Sequence, residues 1–329
     1  MYLHTALSLL SHEFAKMEIT HCIEIGIDYF CIMKVIRNCS LALLAALSLG
    51  GCDNFEYHPY SIDIHGNHDI NRQSIQTLDA LKIKPPFKFA FITDTQGSYD
   101  DTKEALRSIK ERGDIDFIIN GGDVSDFGLP KEFVWSRDMF DAAGIPYITI
   151  IGNHDCLGNG KQTFEYIYGD TNFSFNVGNT HFVCLNTIAL EYDYSHPVPD
   201  LDFIEEDAMA VAAINEAQPA TITHTVVAMH SRPYDEQFNN NVAKPFNHYL
   251  QRYPGMGEDA PVHDHDINDH IPAGSKLRGF CINGHNHNMF VKDIFENGIL
   301  YFQCANAGKR QYFVFTINDE GYEWENIEF

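Results

Sequence analysis

Residues 87–96 read Phe-Lys-Phe-Ala-Phe-Ile-Thr-Asp-Thr-Gln, an apolar run that ends just before an acidic residue. The same arrangement returns in residues 117–123 (Phe-Ile-Ile-Asn-Gly-Gly-Asp) and in residues 147–155 (Tyr-Ile-Thr-Ile-Ile-Gly-Asn-His-Asp). Between these runs, residues 101–112 and 131–143 have helical character. Apolar strands that alternate with helices predict βαβ units and a largely buried sheet.

The second half repeats this alternation with more antiparallel character. Residues 173–177 and 181–185 predict a hairpin, because Gly178-Asn179 between them is a turn signal. Further elements are predicted as follows: a helix over 202–217, strands over 223–229 and 280–282, and two strand-like runs within 298–315. Because ligands bind beyond the carboxyl ends of strands in open α/β sheets, the polar clusters after these strands are expected to converge.

The bulk composition restricts the possible functions. The chain has 329 residues, 44% of them hydrophobic, which is enough for a packed core in one large domain or two small ones. Its formal net charge of −24 argues against sequence-blind nucleic-acid binding, which needs Lys and Arg against phosphates. An enzyme for phosphate esters remains possible, because bound metal cations can supply positive charge locally.

The N-terminal region predicts export. Lys34 and Arg37 precede an apolar run over residues 41–49, and Gly50-Gly51-Cys52 follows it. This order is typical of a signal peptide, here residues 33–51, and its end resembles a bacterial lipobox in which Cys52 is lipidated. A short buried helix is the alternative, and the run is shorter than the roughly 20 residues that span a bilayer.

Residues 1–32 carry several acidic side chains and fit a signal sequence badly, so we expect translation to start at Met33. The mature protein is then expected to be anchored by its lipid in a bacterial cell envelope, facing the periplasm or the cell surface. Residues 52–86 are expected to be a tether and lead-in, and residues 87–329 a single catalytic domain. Within that domain, residues 231–278 form a long irregular insertion, either a lid beside the site or a solvated loop.

Cysteine spacing gives no metal pattern in the mature region. Its four thiols are expected to be free and mostly buried, and they are Cys156, Cys184, Cys281 and Cys304.

Five polar clusters in a fixed order carry the chemistry. They are Asp94-Thr-Gln96, Gly122-Asp-Val-Ser-Asp126, Gly152-Asn-His-Asp155, His230 and Gly284-His-Asn-His287. Together they resemble the calcineurin-like metallophosphoesterase superfamily over roughly residues 87–315. The resemblance implies an α/β fold in which a two-sheet mixed β-sandwich is flanked by helices.

The resemblance also implies a dinuclear site. Asp94, Gln96 and His287 would hold the first metal ion; Asn153, His230 and His285 would hold the second; Asp123 would bridge them. His154 would face the phosphate and stabilise or protonate the leaving oxygen, and Asp126 would orient its imidazole and favour the protonated form. The implied reaction is hydrolysis of a phosphate mono- or diester, a phosphorylated small molecule, by a metal-activated bridging hydroxide.

Two positions depart from common family patterns. The first motif usually ends in His, and Gln96 offers a harder oxygen ligand, which favours Mn among the candidate ions Mn, Fe and Zn. A comparable Asp-x-Gln occurs in a branch that resembles Mn-dependent nucleotide-diphosphate hydrolases, so a diphosphatase is one alternative function. Asp126 stands where purple acid phosphatases place a Tyr ligand, so no iron–tyrosinate centre is expected.

Other assignments stay open at this level. Arg232 either clamps a phosphate oxygen or forms a salt bridge within the lid. Tyr234 and Phe238 either stack on a substrate ring or pack. A second Gly-Asn-His-Asp, residues 66–69, follows no apolar strand and is not expected to be catalytic. The alternative to an enzyme is a lipid-anchored binding protein that kept the fold but lost catalytic turnover.

Overall fold

The computed structural model describes residues 64–192, 197–257 and 277–329, together with Ile36, Arg37 and Ser40. The chain divides into two compact units, Met1–His58 and Pro59–Phe329. In the first unit the three described residues are helical. The rest of the predicted signal peptide, the lipidation candidate Cys52 and residues 258–276 of the predicted lid lie outside the described residues. In the described part of the chain, no helix has the length and apolar character needed to cross a bilayer.

The second unit contains six α-helices and eleven strands among its described residues. The helices are α1 (Ile70–Leu81), α2 (Tyr99–Arg112), α3 (Pro130–Ala143), α4 (Gly160–Ile167), α5 (Leu201–Ala217) and α6 (Ala243–Leu250). The strands are β1 (Phe87–Ile92), β2 (Phe117–Asn120), β3 (Tyr147–Thr149), β4 (Phe173–Val177), β5 (Thr180–Leu185), β6 (His224–Met229), β7 (Gly279–Asn283), β8 (Phe290–Asp293), β9 (Leu300–Gln303), β10 (Gln311–Ile317) and β11 (Tyr322–Glu328).

The strands form two mixed sheets, so the predicted α/β sandwich is confirmed. The first sheet has the order β11-β10-β1-β2-β3, and the second has the order β4-β5-β6-β7-β9-β8. Strands β1, β2 and β3 are parallel, and so are β5, β6, β7 and β9. The expected antiparallel character of the second half is correct in part: the pairs β4–β5, β8–β9 and β10–β11 are antiparallel, and β10 also pairs antiparallel with β1.

The strand residues alternate between two hydrophobic layers. In β1, Phe89 and Phe91 face the other sheet, whereas Ala90 and Ile92 face the helices. This period of two places both faces of the strand out of water, as parallel sheets covered by helices require. The layer between the sheets is rich in aromatic side chains, and the Phe89 and Phe315 rings stack with centroids 5.1 Å apart. The ends of these strands are therefore held rigidly where the polar clusters begin.

Helix α1 corrects the expectation of a tether over residues 52–86. It lies inside that range, and its side chains Ile70 and Leu78 are buried. Asn71 fixes the helix to strand β3 through its side chain. Its Nδ2 donates to the main-chain oxygen of Thr149, and its Oδ1 accepts from the main-chain N–H of Thr149, both at 2.8 Å. Residues 70–81 are thus part of the folded unit, held by a contact between residues 78 positions apart.

The predicted insertion over residues 231–278 is also less irregular than expected. It contains helix α6, whose side chains Phe246 and Leu250 are buried on the helix-facing side of the second sheet. Phe238 belongs to the same cluster and contacts the Phe246 ring at 5.1 Å. Phe238 is therefore a core residue and not a stacking platform for a substrate.

The second Gly-Asn-His-Asp sequence, residues 66–69, packs against helix α3. The buried guanidinium of Arg137 donates to the carbonyls of His65 and Asn67. Gly66 sits against this guanidinium, and a Cβ atom there would lie 2.9 Å from Arg137 Nη2. These bonds attach the start of the folded unit to helix α3.

Candidate metal centre

Three buried side chains at strand ends form the centre of the site. Asp94 follows β1, Asp123 follows β2 and His230 follows β6, and none is more than 1% exposed. One ligand atom from each lies within 4.8 Å of the others. Two carboxylates and an imidazole buried so closely together are costly unless a cation or protons compensate their charge.

The other four predicted ligands contact this group. Gln96 Nε2 lies 3.3 Å from Asp123 Oδ2, and His287 Nε2 lies 3.2 Å from Asp94 Oδ1. The Asn153 side-chain oxygen lies 3.1 Å from His230 Nε2 and from His285 Nδ1. The structure therefore brings all seven predicted metal ligands into one contiguous group.

Four of these residues have backbone conformations that side chains rarely adopt. The φ angles are 51° at Asp94, 53° at Asp123, 74° at His285 and 57° at His287. Each left-handed residue that is not Gly costs on the order of 1 kcal/mol, and such residues concentrate at functional sites. The fold therefore keeps these four side chains converging at an energetic cost.

Glycines next to the ligands permit this convergence. A Cβ atom at Gly152 would lie 2.2 Å from Asp123 Oδ1, and one at Gly284 would lie 2.5 Å from Asp94 Oδ2. At Gly122, whose φ is 93°, a Cβ atom would lie 2.9 Å from His230 Nδ1. No residue with a side chain fits these positions without moving a candidate ligand.

Asp155 holds two of the ligand loops together, a role that the sequence analysis did not assign. Its buried Oδ1 accepts hydrogen bonds from the amides of Val124 and Ser125 and from the Ser125 hydroxyl, each at 2.9 Å. Its Oδ2 accepts from the Gly152 amide at 2.9 Å. Burial, with the negative charge of Asp123 nearby, raises the pKa of Asp155 to about 7. The only sequence signal was its place in the Gly-Asn-His-Asp motif.

Gln303, at the end of β9, is a second residue that the sequence analysis missed. Its buried Oε1 accepts from Arg232, Asn283 and Asn286, each at 3.3 Å, and its Nε2 donates to the Asn288 carbonyl at 2.9 Å. These bonds fix the loop that carries His285 and His287. No pattern in the sequence marks this glutamine.

His154 is held differently from the way the resemblance implied. Its Nδ1 lies 2.8 Å from the main-chain oxygen of Asp126, whereas the Asp126 carboxylate is 3.8 Å away. A carbonyl oxygen only accepts, so Nδ1 carries the proton and Nε2 is the atom free to act. The expectation that the Asp126 carboxylate orients the imidazole is therefore corrected: the backbone orients it.

Burial and neighbouring charges shift the pKa values of four residues in the ligand group. Burial opposes a charge on His230, but the Asp123 carboxylate 3.2 Å away raises its pKa to about 10. Burial likewise opposes ionisation of Asp123, but the His230 charge holds the pKa of that carboxyl below its usual range. The hydrogen bond to Asp94 raises the pKa of His287. Burial, followed by repulsion from His230, lowers the pKa of His285.

Arg232 pairs within its own loop. Its Nη2 lies 3.3 Å from Asp235 Oδ1, and its guanidinium lies over the Phe290 ring at 4.9 Å. Of the two roles left open for Arg232, its contacts therefore show the salt bridge within the loop. Tyr234 in the same loop is 52% exposed and packs on the Phe295 ring at 5.5 Å.

The donor set fits a divalent metal centre. Carboxylate, amide and imidazole donors suit borderline to hard ions, and no thiol is among them. The side-chain oxygen of Gln96 is buried and accepts no hydrogen bond from any described residue, as expected of an oxygen that a cation would satisfy. The four cysteines among the described residues are free thiols, as predicted, and of these only Cys156 is partly exposed.

Comparisons with known proteins agree with this arrangement. A sequence model described as calcineurin-like phosphoesterase matches residues 87–289, more than half of the chain. A probable cyclic nucleotide phosphodiesterase of Xenorhabdus bovienii is 26% identical over 128 residues, which are 37% of this chain and 48% of that protein. The match thus spans about half of the length of that relative.

The solved structures that match this chain include two phosphatases. A dimetal phosphatase from Danio rerio is 12% identical with a TM-score of 0.48, covering 74% of this chain and 99% of that one. A purple acid phosphatase from yellow lupin seeds is 15% identical with a TM-score of 0.46, covering 75% of this chain and 52% of that one.

Proposed function

This chain belongs to the calcineurin-like phosphoesterase family, and we propose that it hydrolyses a small-molecule phosphodiester at a dinuclear metal site. The family assignment makes it a metal-dependent phosphoester hydrolase. The observation that carries the finer proposal is the buried cluster of Asp94, Asp123 and His230, with ligand atoms within 4.8 Å of one another.

The seven candidate ligands divide between two metal positions. Asp94, Gln96 and His287 would hold one ion, Asn153, His230 and His285 would hold the other, and Asp123 would be shared between them. When bound, two divalent ions would supply an activated water and hold the phosphate oxygens for in-line attack. The protein itself sets the ligand positions through left-handed backbone and glycine contacts.

His154 supplies the proton for the leaving oxygen. Its Nδ1 proton is held by the Asp126 carbonyl at 2.8 Å, so the doubly protonated imidazolium is the acid: it donates the Nε2 proton and returns to the neutral form with the proton on Nδ1. At 38% exposed, the imidazole is accessible to a substrate at the rim of the buried ligand group. General acid catalysis of this kind typically contributes about 10²–10⁴ in rate.

A phosphodiester is favoured as the substrate class by the relative named as a probable cyclic nucleotide phosphodiesterase. Cyclic nucleotides are therefore the first substrates to test. Phosphomonoesters remain within the same chemistry, because the metal ions hold phosphate oxygens that both classes share.

A nucleotide diphosphatase is the second candidate, and Gln96 favours it. Its side-chain oxygen is buried, has no hydrogen-bond partner among the described residues, and is a harder ligand than the imidazole that the family usually has at this position. A comparable Asp-x-Gln occurs in family members that resemble Mn-dependent nucleotide-diphosphate hydrolases. ADP-ribose turnover in excess of diester turnover would select this candidate.

The test is hydrolysis of cyclic AMP, bis-p-nitrophenyl phosphate, p-nitrophenyl phosphate and ADP-ribose, each with Mn, Zn, Mg or EDTA. We expect metal-dependent diester hydrolysis that disappears in Asp123→Asn and falls by about 10²–10⁴ in His154→Ala. The exposed residues Asp202 and His248 give matched controls, Asp202→Asn and His248→Ala, which should keep full activity.

The result that overturns the proposal is bound metal without turnover of any substrate. The chain would then be a binding protein that kept the fold. His154→Ala also separates these functions, because it should lower turnover by about 10²–10⁴ while the metal content stays unchanged.

We further propose that the protein is a bacterial lipoprotein anchored through Cys52 in the cell envelope. The support is the basic, apolar and Gly-Gly-Cys order of residues 34–52. Labelling with a radioactive fatty acid should mark the wild type and not Cys52→Ser. Equal labelling of both would exclude lipidation at this cysteine.

A further inference from the structure

An open groove of about 770 Å³ runs between helices α2 and α3. On α2 it is lined by positions 99, 103, 106 and 110, whose spacing of four, three and four residues marks one helix face. On α3 it is lined by Trp135, Met139 and Ala142 in the same rhythm. None of these residues is a candidate metal ligand.

The groove has an apolar floor. Leu106 is buried at its base and Met139 packs on the same core cluster, while Ala142 leaves room above them. Tyr99 and Trp135 meet edge to face at 5.5 Å at one end. Trp135 is 43% exposed, although a large aromatic ring gains free energy when it is covered. These features favour an apolar occupant.

The wall of the groove is cationic in a chain whose net charge is −24. It carries Lys103, Arg107 and Lys110 against the single carboxylate Asp138, which already pairs with Arg137 at 2.8 Å. Within the part of the chain that the structure describes, Lys110 forms no ion pair. A ligand for this wall therefore carries negative charge.

The acidic side chains of α2 do not line the groove and compensate its cationic residues only in part. Asp101 and Glu104 point to another element, where both pair with Arg310. Lys103 is compensated by Asp100 at 3.1 Å, whereas the contact of Arg107 with Glu111 is long, at 3.9 Å. The cationic charge is thus concentrated toward the Lys110 end, opposite the Tyr99–Trp135 pair.

We propose that this groove binds a single-chain anionic amphiphile, such as a fatty acid. The aliphatic chain covers Leu106 and Met139 and reaches Trp135, and the acidic head group pairs with Lys110. The volume lies within the roughly 300–1,000 Å³ range of small-molecule sites, which favours one amphiphile over a protein partner.

The test is titration of the full chain with laurate by calorimetry, below the concentration at which laurate forms micelles. We expect saturable binding of one laurate per chain and much weaker binding of dodecyltrimethylammonium, which has the same chain and the opposite charge. Butyrate, which has the charge without the chain, should also bind weakly.

Two variants with matched controls locate the site. Ala142→Phe fills the groove and should weaken laurate binding about tenfold, whereas Ala212→Phe, at an exposed alanine of α5, should not. Lys110→Glu should weaken it about fivefold, whereas Lys244→Glu on α6 should not. Since the chain has two tryptophans and Trp324 is buried, the fluorescence shift on binding should vanish in Trp135→Phe.

The proposal is overturned by any of three results: no saturable binding, equal affinity for the cationic amphiphile, or equal loss in the control variants. It is also overturned if sedimentation shows a dimer that Ala142→Phe dissociates, because a second copy would then be the occupant of the groove.

Discussion

The His154 imidazole is held by the main-chain oxygen of Asp126 at 2.8 Å, while the Asp126 carboxylate stands 3.8 Å away and 41% exposed. Side-chain substitution at Asp126 leaves the main-chain acceptor in place. The geometry of the imidazole should therefore survive the loss of that carboxylate.

We predict that Asp126→Asn lowers kcat less than about tenfold, whereas His154→Ala lowers it by about 10²–10⁴. Steady-state kinetics on a diester with saturating Mn would measure both. Should Asp126→Asn prove as damaging as His154→Ala, the carboxylate and not the backbone would be the positioning group.

Gln96 should determine the metal preference of the first position. Gln96→Ala removes an oxygen ligand, so elemental analysis should find about one bound ion per chain instead of about two. Gln96→His replaces the oxygen by imidazole and should shift competition toward Zn over Mn. An unchanged stoichiometry and an unchanged Zn-to-Mn ratio would place Gln96 outside the metal coordination.

Asp155 should support the metal centre without touching an ion. Asp155→Ala leaves the amides of Val124, Ser125 and Gly152 without their acceptor, so metal affinity should fall about 10–100-fold. The free energy of unfolding in EDTA should also fall by about 3 kcal/mol or more. Calorimetric Mn titration and urea unfolding measure these effects, with exposed Asp170→Ala as the control. Normal metal affinity in Asp155→Ala would show that the loops hold their positions unaided.

Asp207 should make folding stability depend on pH. Its burial opposes ionisation, but His181 at 2.8 Å, with Ser174 and Tyr253, holds its pKa below the ordinary 3.8. A lowered folded-state pKa stabilises the fold above the unfolded value, and this contribution is lost as the pH falls through the folded value.

At pH 7 we therefore expect Asp207→Asn to destabilise the protein by about 2–4 kcal/mol. The difference from wild type should shrink as the pH falls below about 4. Urea unfolding across this range measures it, and Asp79→Asn, at an exposed carboxylate, should show little effect at any pH. A difference that persists at pH 3 would exclude the ionised carboxylate as its source.

The sequence by itself determined the strand ends and the order of the ligands. The apolar run that begins at Phe87 forms strand β1, as predicted, and Asp94 and Asp123 follow their strands as expected. These predictions depend on local signals, because a buried strand needs continuous apolar residues and a motif keeps its place relative to the strand before it. The same reasoning missed helix α1, because its contact with β3 joins residues 78 positions apart.

Only the tertiary structure decided how the ligands are held. The pairing of His154 with a carbonyl, the four bonds of Asp155 and the contacts of Gln303 depend on main-chain directions at turns. Left-handed conformations at Asp94 and Asp123 are likewise imposed by the surrounding fold, against local preference. Residue types and spacing therefore specify which groups reach the site, whereas long-range packing specifies which atom of each group faces it.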